Sequence, residues 1–454
     1  MDNIGGAPDT SSSGAETRLI RIDEDAVYRK ISLRLIPFLL IAYVFCYIDR
    51  SNVSFAYLRF KADVGLTDAS YGLGAGIFYL GYILFEVPSN MLLERLGART
   101  TILRIMILWG LVSASTAFVQ TPSQFYAARV LLGMAEAGFF PGLILYLTYW
   151  FPASRRAGAT AFLMSSLCIA GLIGGPLSGG IMEIFSTSTI LKSWQWMFLL
   201  EGAPALIIGI IAYFYLDNRP EDASWLQPRE KQLVREQLDA EQLGKQQTAG
   251  VGAVLTQVLR DPKVYLLAIA YFFSPWALSV LNFWGPDIIR QSGIVSPLVI
   301  GLLTVIPNVG GVVSMVCVGR HSDGMQERRW HFMACVATSA LGALLLSMFH
   351  ADWLAVMIFL TLISIGQYGA FAVFWSIPPT YLPRSTTAAG IAVISSLGQI
   401  SGLLSSWLLG VLKGATGSMV AGLYAVVAIE LLTGVVIVAG FRRQLVAGRT
   451  AAGS

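Results

Sequence analysis

Charge is what this chain has least of. Asp, Glu, Lys and Arg make up 13% of its 454 residues, about half of the roughly one quarter found in soluble domains. So few charges cannot solvate a globular surface of this size, and a water-soluble enzyme or binding domain is excluded. The formal net charge is only +4, with no basic patch interleaved with aromatics that would suit nucleic acid. Histidine occurs three times and cysteine four times. His321, His331 and His350 fall in loops or at helix ends and are read as surface residues. Cys46, Cys168, Cys317 and Cys335 lie inside or at the ends of apolar runs without metal-ligand spacing, and are expected to pack as free thiols. Neither a GxSxG turn nor an HExxH helix occurs, so nothing here reads as a membrane enzyme, and no metal or other cofactor is expected.

What is present is apolar length. A bilayer-crossing helix needs about 20 apolar residues. Such runs recur at about 33–58, 70–93, 101–119, 124–149, 157–182, 194–216, 264–290, 297–318, 331–350, 353–379, 386–409 and 419–441. Lipid offers the backbone no hydrogen bonds, so the spans must be helices and the fold all-α. The first thirty residues are polar, with no apolar core before a small-residue cleavage site; the first span is expected to remain as an anchor. With the N-terminus in the cytoplasm, inside segments hold 24 of the 31 Lys and Arg, two (Arg50 and Arg129) lie within spans, and the outside holds Arg59, Lys61, Lys192, Arg290 and Lys413. That bias places both termini in the cytoplasm.

The chain divides into a cytoplasmic tail (1–30), six helices (31–216), a cytoplasmic linker (217–262), six more helices (263–443) and a second tail (444–454). The linker alternates its charges, which suits a short surface helix and a tether. Its flanks repeat: YWFPASRRAGA at 149–159 aligns with TYLPRSTTAAG at 380–390, displaced by 231 residues. Gly171, Gly175 and Gly179 in the fifth span answer Gly398 and Gly402 in the eleventh, spacings that let membrane helices approach closely. Two pseudo-symmetric six-helix bundles with a site between them at the midplane follow. Glu94, Arg95 and Arg99 between spans two and three, with Arg320, Asp323, Arg328 and Arg329 between spans eight and nine, are expected to pair across the bundles as a cytoplasmic gate, together with Glu86.

Ionisable residues inside the spans mark the site, because each costs several kcal/mol unless paired or facing water. Asp49 and Arg50 interrupt AYVFCYIDRSNVSFA in the first span. Adjacent helical residues project about 100° apart, so each needs its own environment. Arg129 and Glu136 lie two turns apart in the fourth span. An ion-pair network that merely fixes helix register is one reading. The other makes Arg50 a bidentate partner for a substrate carboxylate and Asp49 and Glu136 proton acceptors, with Arg129 a structural charge. Tyr47, Tyr82, Asn282, Trp375, Ser395 and Gln399 are the polar and aromatic groups suited to the rest of a substrate.

Several stretches then resemble one family. NMLLERLGAR at 90–99 is similar to the GxLxDRxGRR signature of the major facilitator superfamily, with Asn90 for Gly and Glu94 for Asp. YIDRSNV, FEVPSNMLLERLGAR, GMAEAGFFPG, YWFPASRRA, GRHSDGMQERRWH and FWSIPPTYLP resemble its anion:cation symporter branch, near the bacterial tartrate and aromatic-acid transporters. The resemblance runs from about Arg29 to Arg443 and implies import of an organic anion, such as tartrate, a sugar acid or an aromatic acid, across a bacterial cytoplasmic (inner) membrane, with a proton as coupling ion. It points to Asp49, Glu136 and Arg50. Relatives often carry two Asn where this chain has Ser395 and Gln399. An uncoupled facilitator and a sodium-coupled carrier remain the alternatives. Oligomeric state is not legible.

Overall fold

The computed structural model describes residues 23–243, 251–274, 276–325, 327–382 and 386–440, and every regular element among them is helical. Among the described residues twelve spans are long and apolar enough to cross a membrane. Spans 1 to 6 are Glu24–Val64, Asp68–Leu93, Ala98–Phe118, Pro122–Thr148, Ala153–Ile184 and Ser193–Tyr215. Spans 7 to 12 are Pro262–Gln291, Pro297–Met325, Arg329–Met348, Trp353–Phe374, Ala389–Thr416 and Val420–Gly440. Span 1 starts earlier than its apolar run because Asp23 caps it, accepting from the N–H groups of Asp25 and Ala26, with Glu24 and Asp25 in the first turn. Acids there complement the helix dipole. Hydropathy does not register such a polar turn.

Packing within the two halves follows one plan. Span 3 lies on span 6, span 2 on span 4 and span 1 on span 5; likewise span 9 on span 12, span 8 on span 10 and span 7 on span 11. The halves meet along two seams, span 2 with span 11 and span 5 with span 8, which a pseudo-two-fold axis exchanges. Glycine makes both seams possible. A Cβ at Gly301 would run into the carbonyl oxygen of Gly175, and one at Gly175 would lie 2.8 Å from the carbonyl oxygen of Gly301. In the other seam, a Cβ at Gly76 would lie 2.7 Å from the carbonyl oxygen of Leu403, and Gly72 and Gly410 face each other in the same way. Gly398 departs from expectation: it faces the Tyr271 ring of its own half, and the close approach in span 11 falls at Gly410 instead.

The end of the molecule remote from the linker, here called the far face, is clasped. Lys413 of span 11 is buried, 2.5 Å from Asp287 of span 7, and reaches across to the Tyr57 hydroxyl (3.0 Å) and Asp68 (3.6 Å) of the first half. Tyr57 and Lys61 both bond Asp68. Arg290 donates to the carbonyl of Leu58 at 3.0 Å, and the Tyr71 hydroxyl to that of Phe283 at 2.9 Å. Lys413 is thus no loop residue: it sits in the last turn of its helix.

The linker helix Pro228–Leu243 is docked rather than free. Lys30 pairs with Glu230 at 2.8 Å, Tyr28 donates to Gln237 at 2.8 Å, and Arg156 pairs with Glu241 at 3.2 Å. Trp225 stacks on Trp150. At the same end His321 and His331, expected as separate surface residues, bond each other at 2.8 Å, and His331 also meets Glu327 at 3.0 Å.

Two outcomes follow from this packing. Gly301→Leu places a side chain against the backbone of Gly175 and must part the seam; spin-label distances between spans 5 and 8 at the far face should lengthen and transport should fall by at least ~10-fold. For the linker, burial opposes the ionised form of Glu230, yet Lys30 and the Gln227 N–H outweigh it and hold the carboxyl below its usual 4.5. A lowered folded pKa means docking is strongest above pH 4.5 and is lost as pH falls through the depressed value. Amide exchange across 228–243, corrected for intrinsic rates, should rise on acidification below that point, and Glu230→Gln should flatten the dependence.

Candidate functional site

The charged residues of the first half sit where their helices lose regularity. Span 1 is continuous to Ser51 and resumes at Val53, with Asn52 between, where a tight bond runs from the Phe55 N–H to the Asn52 carbonyl at 2.9 Å. Span 4 breaks immediately after Glu136, the last residue of Pro122–Glu136. Gly138 turns the chain at φ 82°, and a Cβ there would sit 2.6 Å from the side chain of Ser89. Only glycine satisfies both demands. Broken spans are how a membrane protein aims polar groups at a cavity.

Arg50 and Glu136 meet at that break. Arg50 Nε donates to Glu136 Oε2 at 2.6 Å, and the Cys46 thiol to the same oxygen at 3.4 Å. Cys46 is therefore a donor as well as a packing group. The guanidinium lies over the rings of Tyr82 (5.0 Å), Phe78 (5.2 Å) and Tyr47 (5.4 Å), within cation–π range. One donor, Arg50 Nη2, and one acceptor, Glu136 Oε1, are buried without a partner. The pair is thus half satisfied: a guanidinium has a second prong to offer, and a carboxyl has a second oxygen to protonate.

Asp49 faces elsewhere, as the 100° step requires. It accepts from Trp109 Nε1 and Ser113 Oγ of span 3 and from Asn52 Nδ2 at 2.9 Å. Arg129 is 2% exposed and bonds neither acid; it donates to the carbonyls of Gly74 (3.4 Å) and Ala75 (3.3 Å) and lies 5.1 Å from the Phe78 ring. A further acid was missed in the sequence reading. Glu201 of span 6 is buried, accepts from Ser178 at 2.7 Å, and keeps its other oxygen unpartnered. Its counterpart is Glu430 of span 12, which accepts from Gln367 at 2.7 Å and also has one free oxygen. Each is the sole charge in its apolar run, the signal that would have found it.

The second half contributes rings. Trp375 packs edge-on to Tyr271 at 4.7 Å, and Tyr271 stacks on Phe374 at 5.0 Å. Tyr271 and Tyr368 lie in the neighbourhood of Tyr47 of the first half, and Tyr79 packs at Gly402. Asn282 is exposed on a π-helical turn whose neighbours Phe283 and Trp284 are buried. Among the described residues no hydrogen bond or ring contact links Asn282, Ser395 or Gln399 to the Arg50 cluster. Glu86 lies within electrostatic reach of Arg50.

Among the described residues no ion pair joins the expected cytoplasmic gate residues of one half to those of the other. Arg99 is spent within its own half, donating to the Tyr213 carbonyl at 2.8 Å and lying over the Tyr213 ring. Arg328 pairs with Asp323 inside the second half. Arg95 and Arg320 are exposed, and the side chain of Glu94 lies outside the described residues. Among the described residues the ion pair that joins the halves is Lys413 with Asp68, at the opposite end.

Two pseudo-symmetric helical halves, the first holding a half-satisfied arginine and carboxyl inside its spans, make up the described chain. The sequence pattern of the Major Facilitator Superfamily matches residues 39–406, and the chain belongs to that family. It is 42% identical, over 91% of its own length and 94% of the other's, to a protein of Agrobacterium vitis named "Putative tartrate transporter". It is 38% identical to the "Quinolone resistance transporter" of Acinetobacter baumannii, over 91% of this chain and 94% of that one. The fold matches solved structures of the xylose transporter XylE from E. coli in a partially occluded inward open conformation (TM-score 0.71, 13% identity, 90% of this chain and 98% of that one) and of a bacterial Spinster homologue in an inward-facing, occupied conformation (0.72, 15%, 91% and 96%). The protein is a multi-pass membrane transporter of a small organic substrate, and not an enzyme.

Gly138→Ala tests the geometry. The added methyl is strained at positive φ and meets Ser89, a cost of about 1–3 kcal/mol, so Glu136 should be displaced; transport should fall about 10-fold or more, and Ser89→Gly should restore part of it by making room.

Proposed function

We propose that the protein is a proton-coupled importer of a small organic carboxylate in the bacterial inner membrane, with both termini cytoplasmic. The observation that carries this reading is the half-satisfied Arg50–Glu136 pair: Arg50 Nη2 and Glu136 Oε1 are buried and unpartnered while Nε and Oε2 are bonded. A proton arriving on Glu136 removes its claim on the guanidinium. Arg50 can then take a substrate carboxylate with two parallel bonds, and the entering negative charge is offset by the proton. Tyr47 and Tyr82 already flank the guanidinium, and Tyr79, Tyr271 and Trp375 supply aromatic surface for the rest of the cargo. Asp49 serves as the second proton acceptor, acting from the Trp109 side of span 1. The tartrate name carried by the Agrobacterium vitis relative supports a carboxylate.

Uptake into proteoliposomes of labelled organic acids, with and without an inward proton gradient, tests the reading. Wild type should accumulate one class of acid only with the gradient. Glu136→Gln should lose accumulation yet keep counterflow exchange, and Arg50→Lys, which lacks the fork, should raise KM about 10-fold or more. Equal accumulation without the gradient, or a Glu136→Gln variant that matches wild type, would leave an uncoupled facilitator.

A further inference from the structure

Basic residues are scarce at the far face, and their placement there is not random. Five occur, namely Arg59, Lys61, Lys192, Arg290 and Lys413. Lys192 is matched by Asp63 at 2.5 Å. The other four converge: Arg59, Lys61 and Arg290 line one cavity of about 440 Å³ together with Tyr57, Gly65 and Leu66, and Lys413 is bonded to Tyr57 in its wall. Facing these four cations are two carboxylates, Asp68, bonded by Lys61 at 2.6 Å, and Asp287, bonded by Arg290 at 2.7 Å and by Lys413. Four against two leaves a surplus of two positive charges around an open cavity. Among the described residues Arg59 is exposed with no acidic partner. A membrane protein that keeps cations off one face and then gathers most of the remaining ones at one cavity has concentrated a positive field.

We infer that this cavity is a recruitment site for small organic carboxylates, separate from the Arg50 site and filled before it; the inference rests on the anion-import reading. Its volume suits a molecule of a few carbons. The surplus charge raises the local concentration of anions at the mouth, an effect that salt screens. Arg290 couples the cavity to the clasp. Its Nη1 holds the Leu58 carbonyl of the opposite half at 3.0 Å; an anion that takes this donor removes one tie between the halves on the side from which cargo arrives.

The test reads the field directly, without needing transport. In a Cys317→Ser background, Ala62→Cys on the cavity rim reacts with membrane-impermeant methanethiosulfonates of either sign in phosphatidylcholine vesicles. The anionic reagent should be favoured over the cationic one by ~10-fold at low salt. Tartrate should slow it, and Arg59→Gln with Lys61→Gln should abolish both effects. Equal rates for the two reagents, or a preference that survives neutralisation, would overturn the site. Phosphatidylglycerol that displaces tartrate would give the cavity to lipid headgroups and overturn it equally. In uptake assays the same double variant should raise KM for entry ~5-fold or more and weaken its salt dependence. Anion preference with tartrate protection in a protein that accumulates no acid would retain the cavity and reject the import reading. Proton-driven uptake with an unchanged KM and no reagent preference would do the reverse.

Discussion

An arginine inside a bilayer is the constraint around which this protein is built. Placed alone at the centre it costs from roughly 3 to more than 10 kcal/mol depending on how it is measured. Arg50 escapes that cost through Glu136 Oε2 at 2.6 Å and three aromatic faces. Removing one partner of such a buried pair exposes the other to several kcal/mol of desolvation. The pair is therefore stable only while each member is neutralised by something, and a proton on the acid together with an anion on the base is an exchange of partners at nearly constant charge. That equivalence lets a site hold a charged cargo in lipid without paying for it twice.

The surrounding structure keeps this pair half satisfied by geometry. Asp49 is turned toward Trp109 and Ser113, so the acid adjacent in sequence to Arg50 does not saturate it. Arg129 is tied to two backbone carbonyls of span 2, so the cation nearest Glu136 in sequence does not saturate that acid. Each charge that would otherwise complete the pair is engaged elsewhere. The break at Ala137 and Gly138 then ends the helix beside the carboxyl, and at the seam of spans 2 and 11 Gly402 leaves room for the Tyr79 ring of the first half.

Much of this was legible because lipid is a strict solvent. Twelve apolar runs, the repeat about the linker, and the charges at Asp49, Arg50, Arg129 and Glu136 all stand out against a background that tolerates few polar residues. Partner choice was not legible. Trp109, Ser113 and Asn52 are ordinary residues in sequence, and hydropathy does not say which way a side chain on an unbroken run points. The far-face clasp escaped for a related reason: Asp68, Asp287 and Lys413 lie near span ends, where charge is unremarkable, and only the fold shows that they meet. The cytoplasmic loops misled in the opposite sense. Their paired signs suggested a bridge between the halves, but Arg99 reaches a carbonyl of span 6 and Arg328 reaches Asp323, closing locally what could have closed across.

The two halves share a scaffold but divide the chemistry. The displacement of 231 residues that superposes the flanks of the linker carries Glu136 onto Gln367. Gln367 is neutral, buried and committed to Glu430 and Ser339 within its own half. The same displacement carries Arg50 onto Leu281, and the second half presents the rings of Tyr271, Phe374 and Trp375 packed on one another. A symmetric pair of guanidiniums would trap a dianion too firmly to release it, whereas one charged wall and one aromatic wall let charge be recognised on one side and shape on the other. On the proposed reading, change of cargo can then arise by altering rings and hydroxyls in the second half while the Arg50–Glu136 pair of the first is left intact.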